Sequence, residues 1–443
     1  MRTHARTPAH LLAVTTVALS VAAAGPAGAA RHPFPAHATY GNDALRPSHI
    51  TVTEADDHVR TVYWRWRGEY LRQAGTEPDG HPRYRIVTST APDASTVSES
   101  QGYGMIVIAL MAGEDPDART IFDGLWEFFN DHRSSIDPRL MDWHVPADEL
   151  PDPSGNDSAF DGDCDIAFAL LLAAEQWGVG GRIDYRAEAL DVISGILASE
   201  IGPDSRLPML GDWAQPDGDP YNQYTFRTSD LMPDHFSAFA EATGDPVWEE
   251  VVAASRQAVE ELQASHAPAT GLLPDFAVPA SDLDPSPQPA PPGFLEGPHD
   301  GHYYYNAGRT PWRLATHASL SGDAITTSQV RRMSQWIRTS TSGAPLAVQA
   351  GYELDGTPIG AYFTSFFAAP FGVAAMVDPD GQAWLDATWE AVRCRDEGYY
   401  EDTVTLLAML VMSHNRWDPT TVGSVFRDGF ESGDTSAWSA ARP

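Results

Sequence analysis

The sequence predicts an all-α fold assembled as a barrel of helix hairpins, with few and short strands. Three observations carry this. About a dozen segments repeat their apolar residues at a spacing near 3.6, the period of a helix with a buried face. Alternating runs of the strand type are confined to Arg83–Val87 and Tyr352–Leu354. No self-similarity at a fixed period suggests a solenoid, so some twelve helices in one unit are best closed as two concentric rings.

Taken in order, residues 1–30 stand apart. Arg2 and Arg6 precede an apolar stretch, Leu11 to Ala24, and Ala27-Gly28-Ala29 offers small residues for cleavage after Ala29 or Ala30. This is the pattern of a secretory signal peptide, too short in its apolar part for a membrane anchor. The mature protein is therefore expected to be secreted, of bacterial type. Helical periodicity then covers Val62–Gln73, Gly104–Ala112, Ala118–His132, Ile166–Trp177, Tyr185–Glu200 and Met232–Ala242. It resumes over Pro246–Ser265, Arg313–Ala318, Ser328–Thr341, Ala361–Met376, Gln382–Arg393 and Tyr400–Asn415. Between Ser265 and Arg313, the stretch Ala277–Gly301 is rich in Pro, Asp and Ser and reads as a long surface loop within one domain spanning residues 31–417. Residues 418–443 form a short polar tail without periodicity.

The chain carries a net charge of −33, and all its cations are arginines. Such acidity argues against nucleic acid or an anionic lipid surface as partner. It suits a cationic substrate such as chitosan, although acidic drift of an exported protein explains it more simply. Aromatics are abundant, with 13 Trp, 15 Tyr and 17 Phe, which serves a large core or a sugar-binding cleft equally. The two cysteines, Cys164 and Cys394, pair or stay free; an exported chain allows both. His144, His235, His302 and His317 are scattered, and with no HExxH and no CxxC a metal site is not expected.

Three clusters concentrate chemistry. In Val97-Ser98-Glu99-Ser100-Gln101-Gly102-Tyr103-Gly104-Met105, capping hydroxyls and an early Glu open an apolar helix. Two glycines in that first turn weaken the helix but let another backbone come close. Asp157, Asp161, Asp163 and Asp165 crowd a second helix start. Carboxylates so close raise at least one pKa and hold water or sugar hydroxyls, or else they are a cap with solvated acids; an EF-hand spacing is not met. The third, Asp300 to Arg313, strings Tyr303, Tyr304, Tyr305, Asn306, Arg309 and Trp312 together, as a cleft wall or as aromatic core packing. Trp143 and Trp213 each follow an Asp, and a Trp face stacks on a pyranose ring while a carboxylate takes its hydroxyls.

These clusters, with the short elements between them, resemble glycoside hydrolase family 8 in type and order across residues 60–417. V-S-E-x-Q-G-Y-G-M at 97–105, D-W at 142–143, D-G-D-x-D-I-A at 161–167 and G-D-W-A at 211–214 are similar to its motifs. S-D-x-M-P-D-H-F at 229–236, Y-N-A-x-R-T-P-W-R at 305–313 and Y-Y-E-D-T-V at 399–404 complete the series. The resemblance implies an (α/α)6 barrel and inverting hydrolysis of β-1,4-linked polysaccharide without a cofactor. It assigns the general acid to Glu99 and the residue holding the sugar at the cleaved bond to Asp161. Phe160 departs from the family's usual Ser or Thr. One branch of the family takes its base from an Asp where this chain has Asn306, which accepts no proton at neutral pH. Another branch has Asn there and draws the base from the preceding loop, which makes Glu296 the expected base, with Asp300, Asp282 and Asp284 as competitors. Tyr103, Trp143, Trp213, Asp163, Tyr305, Asn306, Arg309 and Arg313 are the expected substrate-binding residues.

An inverting hydrolase needs one protonated carboxyl at the glycosidic oxygen and one carboxylate activating water on the opposite face. The expected protein is thus a monomeric endo-glycanase acting on chitosan or on β-1,4 or mixed-linkage glucan, with xylan disfavoured. Two other classes compete: a non-catalytic carbohydrate-binding protein, because of Asn306, and a polysaccharide lyase using Tyr303–Tyr305 with Arg309.

Overall fold

The computed structural model describes residues 29–41, 44–178 and 181–420. Residues 1–28 of the expected leader and residues 421–443 of the expected tail lie outside them. Twelve α-helices are present among the described residues. Six form an inner ring: α2 (Ser98–Leu110), α4 (Phe160–Trp177), α6 (Pro233–Thr243), α8 (Thr310–Ser321), α10 (Ser365–Ala375) and α12 (Tyr399–Met412). Each packs on the next, and α12 returns to α2 to close the ring. The other six clothe it: α1 (Val52–Tyr70), α3 (Ala118–Asp131), α5 (Tyr185–Ser199), α7 (Val247–His266), α9 (Ala324–Ser340) and α11 (Gln382–Val392). This is the expected (α/α)6 barrel.

The two rings differ because their sequences differ. Inner helices are the more deeply buried: every residue of α10 is buried, and so is Met105 to Leu110 of α2. Outer helices have one apolar stripe; α3 buries Ile121, Phe122, Leu125, Phe128 and Phe129 and turns its polar face out. Helix α1 starts ten residues before the expected Val62, at a capping box between Thr51 and Glu54. Its first turns hide the buried Asp56 among polar residues, which masks the period; Asp56 is satisfied by His37 and the Asn415 amide.

Three expectations about strands and loops change. The last residues of Val62–Gln73 leave the helix as β1 (Leu71–Thr76), which pairs antiparallel with β2 (Pro82–Ile86). Tyr352 makes only isolated bridges, to Tyr303 and Pro358. The supposed long loop at 277–301 is half sheet: β5 (Phe226–Arg227), β6 (Phe276–Ser281) and β7 (Asp284–Pro289) form one three-stranded sheet. The prolines obscured this. Pro287 and Pro289 sit on β7, the edge strand, where a missing N–H leaves no central ladder position unpaired. Only residues 290–301 remain irregular. A short pair, β3 (Thr96–Val97) with β4 (His144–Val145), ties the start of α2 to the Trp143 segment. Cys164 is buried in α4, Cys394 is exposed, and both are free thiols.

Candidate active site

Inner-ring helices begin at one end of the barrel, and the residues singled out by the sequence gather there. Glu99 lies in the first turn of α2, Asp161 in that of α4, and Arg309 caps the start of α8. Helices α2 and α4 approach closely because of two glycines. A Cβ on Gly102 would stand 2.7 Å from the Asp165 Cβ and 3.0 Å from the Gly162 carbonyl oxygen, and one on Gly162 would overlap Ser98. The glycine pair therefore sets how near Glu99 comes to Asp161.

Arg309 is the hub. Its Nη1 donates to Glu99 Oε2 at 2.8 Å, to Asp161 Oδ2 at 2.7 Å and to the Tyr103 hydroxyl at 3.2 Å. Its Nη2 donates to Ser229 Oγ at 2.8 Å and to Asn306 Oδ1 at 3.0 Å. Asn306 passes the connection on, its Nδ2 donating to Glu296 Oε2 at 2.8 Å. The other Glu296 oxygen accepts from Arg227 Nη2 at 3.2 Å. Glu99 and Asp161 thus share one nitrogen, whereas a guanidinium and a carboxamide link Glu99 to Glu296.

Burial, opposed by Arg309 and reinforced by the Asp161 anion, pushes the Glu99 carboxyl up to about 8. Burial also acts against ionisation of Asp161, but Arg309 and then Arg227 outweigh it and hold that carboxyl below its ordinary value. Two carboxyls on one guanidinium therefore titrate apart, one protonated and one ionised at neutral pH. That separation is what acid–base division of labour requires.

Three expected ligand-binding residues, Tyr103, Asp163 and Arg313, lie beneath this layer, whereas Arg309 is its buried hub. Tyr103, Asp163, Arg309 and Arg313 are fully or almost fully buried. The reason is helical geometry. Tyr103 follows Glu99 by four residues, Asp165 follows Asp161 by four, and Arg313 follows Arg309 by four, so each sits one turn deeper on the same face. In that lower layer Arg313 pairs with both Asp165 oxygens, at 2.8 and 2.5 Å, and His235 Nε2 meets Asp165 at 2.9 Å. Arg313 also stacks 4.2 Å from the Trp312 ring centre. Asp163 accepts from the Met141 N–H at 2.8 Å and anchors the Trp143 segment from below. Phe160 faces the core against Phe236.

At the mouth, Trp143 is 39% exposed, and its carbonyl accepts the Ser98 N–H next to Glu99. Trp213 is half-buried against Tyr221, which packs on Phe294 beside the Glu296 turn. Tyr305 packs on Phe366, and its hydroxyl meets that of the exposed Tyr362 at 3.1 Å. Trp143, Trp213 and Tyr305 are thus accessible or at the rim, whereas Asn306 is buried between Arg309 and Glu296. Among the competing acids, Asp282 and Asp284 are exposed near the tip of the β6–β7 hairpin, while Asp300 is buried in backbone contacts. Tyr362 and Asp275 were not singled out by sequence; Ser229, in the S-D-x-M-P-D-H-F motif, and Arg227 just before it stood in a recognised segment without an assigned role. Asp275 Oδ1 accepts the N–H groups of Tyr304, Asn306 and Ala307 and shapes the turn that presents Asn306; burial pushes its carboxyl up to about 7. Nothing in Leu273-Pro274-Asp275 flags this, because its partners are backbone groups some thirty residues away. Among the described residues, Glu69, Asp396 and Asp402 are near enough to share a cation, but Asp402 already serves Tyr70 and the Glu397 N–H.

The sequence model of glycosyl hydrolases family 8 matches residues 39–414. The chain belongs to this family. It is 40% identical over 386 residues to a β-glucanase of Niallia circulans, covering 87% of this chain and 91% of that one. It is 38% identical over 393 residues to an endoglucanase of a Bacillus species, covering 87% and 82%. The solved apo structure of a β-1,3-1,4-glucanase from Paenibacillus sp. X4 superposes with a TM-score of 0.84 at 39% identity, covering 88% of this chain and all of that one. A family 8 xylanase from Teredinibacter turnerae, at 18% identity and TM-score 0.71, shares the fold. The protein is a glycoside hydrolase. That sets aside the lyase and the non-catalytic readings; Tyr303, moreover, is fully buried and Arg309 has its Nη protons engaged by protein acceptors.

Proposed function

We propose that this family 8 enzyme cleaves internal β-glycosidic bonds of β-1,4 or mixed-linkage glucan with inversion, using Glu99 as general acid and Glu296 as general base. The observation that carries the assignment is the Asn306–Glu296 contact. The Asn306 amide, at the position to which the family resemblance assigns a carboxylate base in another branch, hydrogen-bonds a carboxylate supplied by the loop. Glu99 gives its proton to the glycosidic oxygen as the C1–O bond breaks. Glu296 takes a proton from water, whose oxygen bonds to C1 from the opposite face. Asp161, ionised beside Arg309, holds sugar hydroxyls at the cleaved bond. Trp143, Trp213 and Tyr305 supply stacking faces. The glucan substrate is supported by the relatives' activities. The leader pattern at Arg2–Ala30 supports export.

Chitosan is a second reading. It is favoured by Asp142 and Asp157 flanking Trp143: burial, then Asp157 and Asp212, push the Asp142 carboxyl up to about 6, and an amine there would relieve the repulsion. Reducing-end release from mixed-linkage glucan and from soluble chitosan, run side by side, separates the two. NMR of the first product formed tests the stereochemistry. An α-anomer is expected, and a β-anomer would sink the water-activating role of Glu296.

A further inference from the structure

The turn that carries Glu296 is closed on itself at three levels. Its ends meet on one residue of β6: the Ala290 N–H donates to the Phe276 carbonyl at 2.9 Å, and the Phe276 N–H donates to the Asp300 carbonyl at 2.8 Å. Inside, the Gly293 N–H donates to the Gly297 carbonyl at 2.8 Å. At the centre lies the Asp300 carboxylate, whose residue is 3% exposed. Its Oδ2 accepts the N–H groups of Leu295 at 2.8 Å and Glu296 at 3.2 Å, and its Oδ1 accepts that of Gly297 at 2.9 Å. Successive backbone N–H groups turned onto one point make an anion nest, and here the chain fills it with its own carboxylate.

The Glu296 side chain itself is 47% exposed, so packing alone does not hold it. Its place depends on the donors Arg227 and Asn306 and on the backbone beneath it. We propose that Asp300 is the positioning residue for Glu296: by gathering the N–H groups of residues 295–297 it fixes the carboxylate where it meets Asn306 and water. The proposal rests on Glu296 being the base. It also gives the second acid of this loop a role other than competitor, since both Asp300 oxygens are engaged by the backbone. Asparagine at 300 would turn an NH2 group toward backbone N–H donors and release part of the turn. Displacing a reacting group by about 1 Å can cost on the order of 100-fold in rate.

A double-mutant cycle on the full chain, assayed on mixed-linkage glucan, tests this. Asp300→Asn is expected to lower kcat by about 10- to 100-fold while KM moves less than about threefold, as for supporting partners of a reactive group. In the Glu296→Ala background, the same substitution should change the residual kcat by less than about twofold, because the group it positions is gone. An unchanged kcat in Asp300→Asn, or an equal loss in both backgrounds, overturns the proposal; the second outcome leaves Asp300 a support of the fold alone. If Asp300→Asn does not fold, Asp300→Ser, which keeps one acceptor for the turn, enters the same cycle. Parental kcat in Glu296→Ala would remove the base assignment itself, a failure distinguishable from that of the positioning role.

Discussion

Glu99 stands 2.8 Å from a guanidinium, a contact that alone would lower a carboxyl's pKa. Burial, with Asp161 sharing the same nitrogen, reverses the sign and leaves the acid protonated up to about pH 8. Four outcomes follow for single residues. Glu99→Gln should lower kcat by at least about 100-fold, the lower end of what a general acid contributes; turnover near the parental rate would reject the assignment. The basic limb of kcat/KM should fall near pH 8, and in Asp161→Asn, where an anion beside Glu99 is removed, the limb of the residual activity should shift to lower pH. The stability sign is opposite to that of an ion-paired acid. A carboxyl whose folded pKa is raised contributes stability below its unfolded value near 4.5, and loses it as pH rises through about 8. The melting temperature of Glu99→Gln should therefore gain on the parent across that window; a constant difference from pH 5 to 9 would contradict it. Finally, Glu296→Ala should lose far more activity than Asn306→Ala, since Asn306 supports the carboxylate and does not carry the proton. The reverse ranking in steady-state assays would place the base elsewhere.

At the scale of elements, the site depends on how closely α2 and α4 pack and on the ion pair one turn below. Gly102→Ala gains up to about 1 kcal/mol of helix propensity. It also brings a Cβ within 2.7 Å of Asp165, and overpacking of that kind costs about 1–3 kcal/mol. Net destabilisation with a larger loss of kcat is expected, read by thermal denaturation beside kinetics; a more stable variant would show that the helices have slack. Arg313→Met leaves the Asp165 carboxylate buried with only His235, and breaking a buried pair costs about 3–5 kcal/mol. The motif spacing contained this division. Members four residues apart on one helix were visible as pairs, but which of each pair meets substrate follows from which end of the helix opens to solvent.

Over the whole molecule, a net charge of −33 imposes self-repulsion that added salt screens. The melting temperature should rise as NaCl increases from about 10 to 150 mM, roughly from a 30 Å to an 8 Å Debye length. If chitosan is a substrate, its KM should rise over the same range, while that for a neutral glucan stays level. A melting temperature indifferent to salt would show that the acids are already compensated by local pairing.

The sequence by itself determined the all-helical class and the approximate number of helices, and it nominated the carboxyls proposed here as acid and base. These reside in local period, in composition around each helix and in short motifs whose residues act within one turn of each other. The tertiary structure alone decided which motif residues face the cleft and which support it. It also turned Pro-rich residues 276–289 into an edge hairpin, and it separated Glu296 from Asp300 within one loop. Each of those outcomes depends on backbone N–H groups and on partners far away in the chain. Asp275 and Asp300 are chosen by donors that carry no side-chain signature, and Arg309 joins Glu99, 210 residues distant, to Asn306, three residues away. Period and motif record what a residue is next to along the helix; only folding records what it is next to in space.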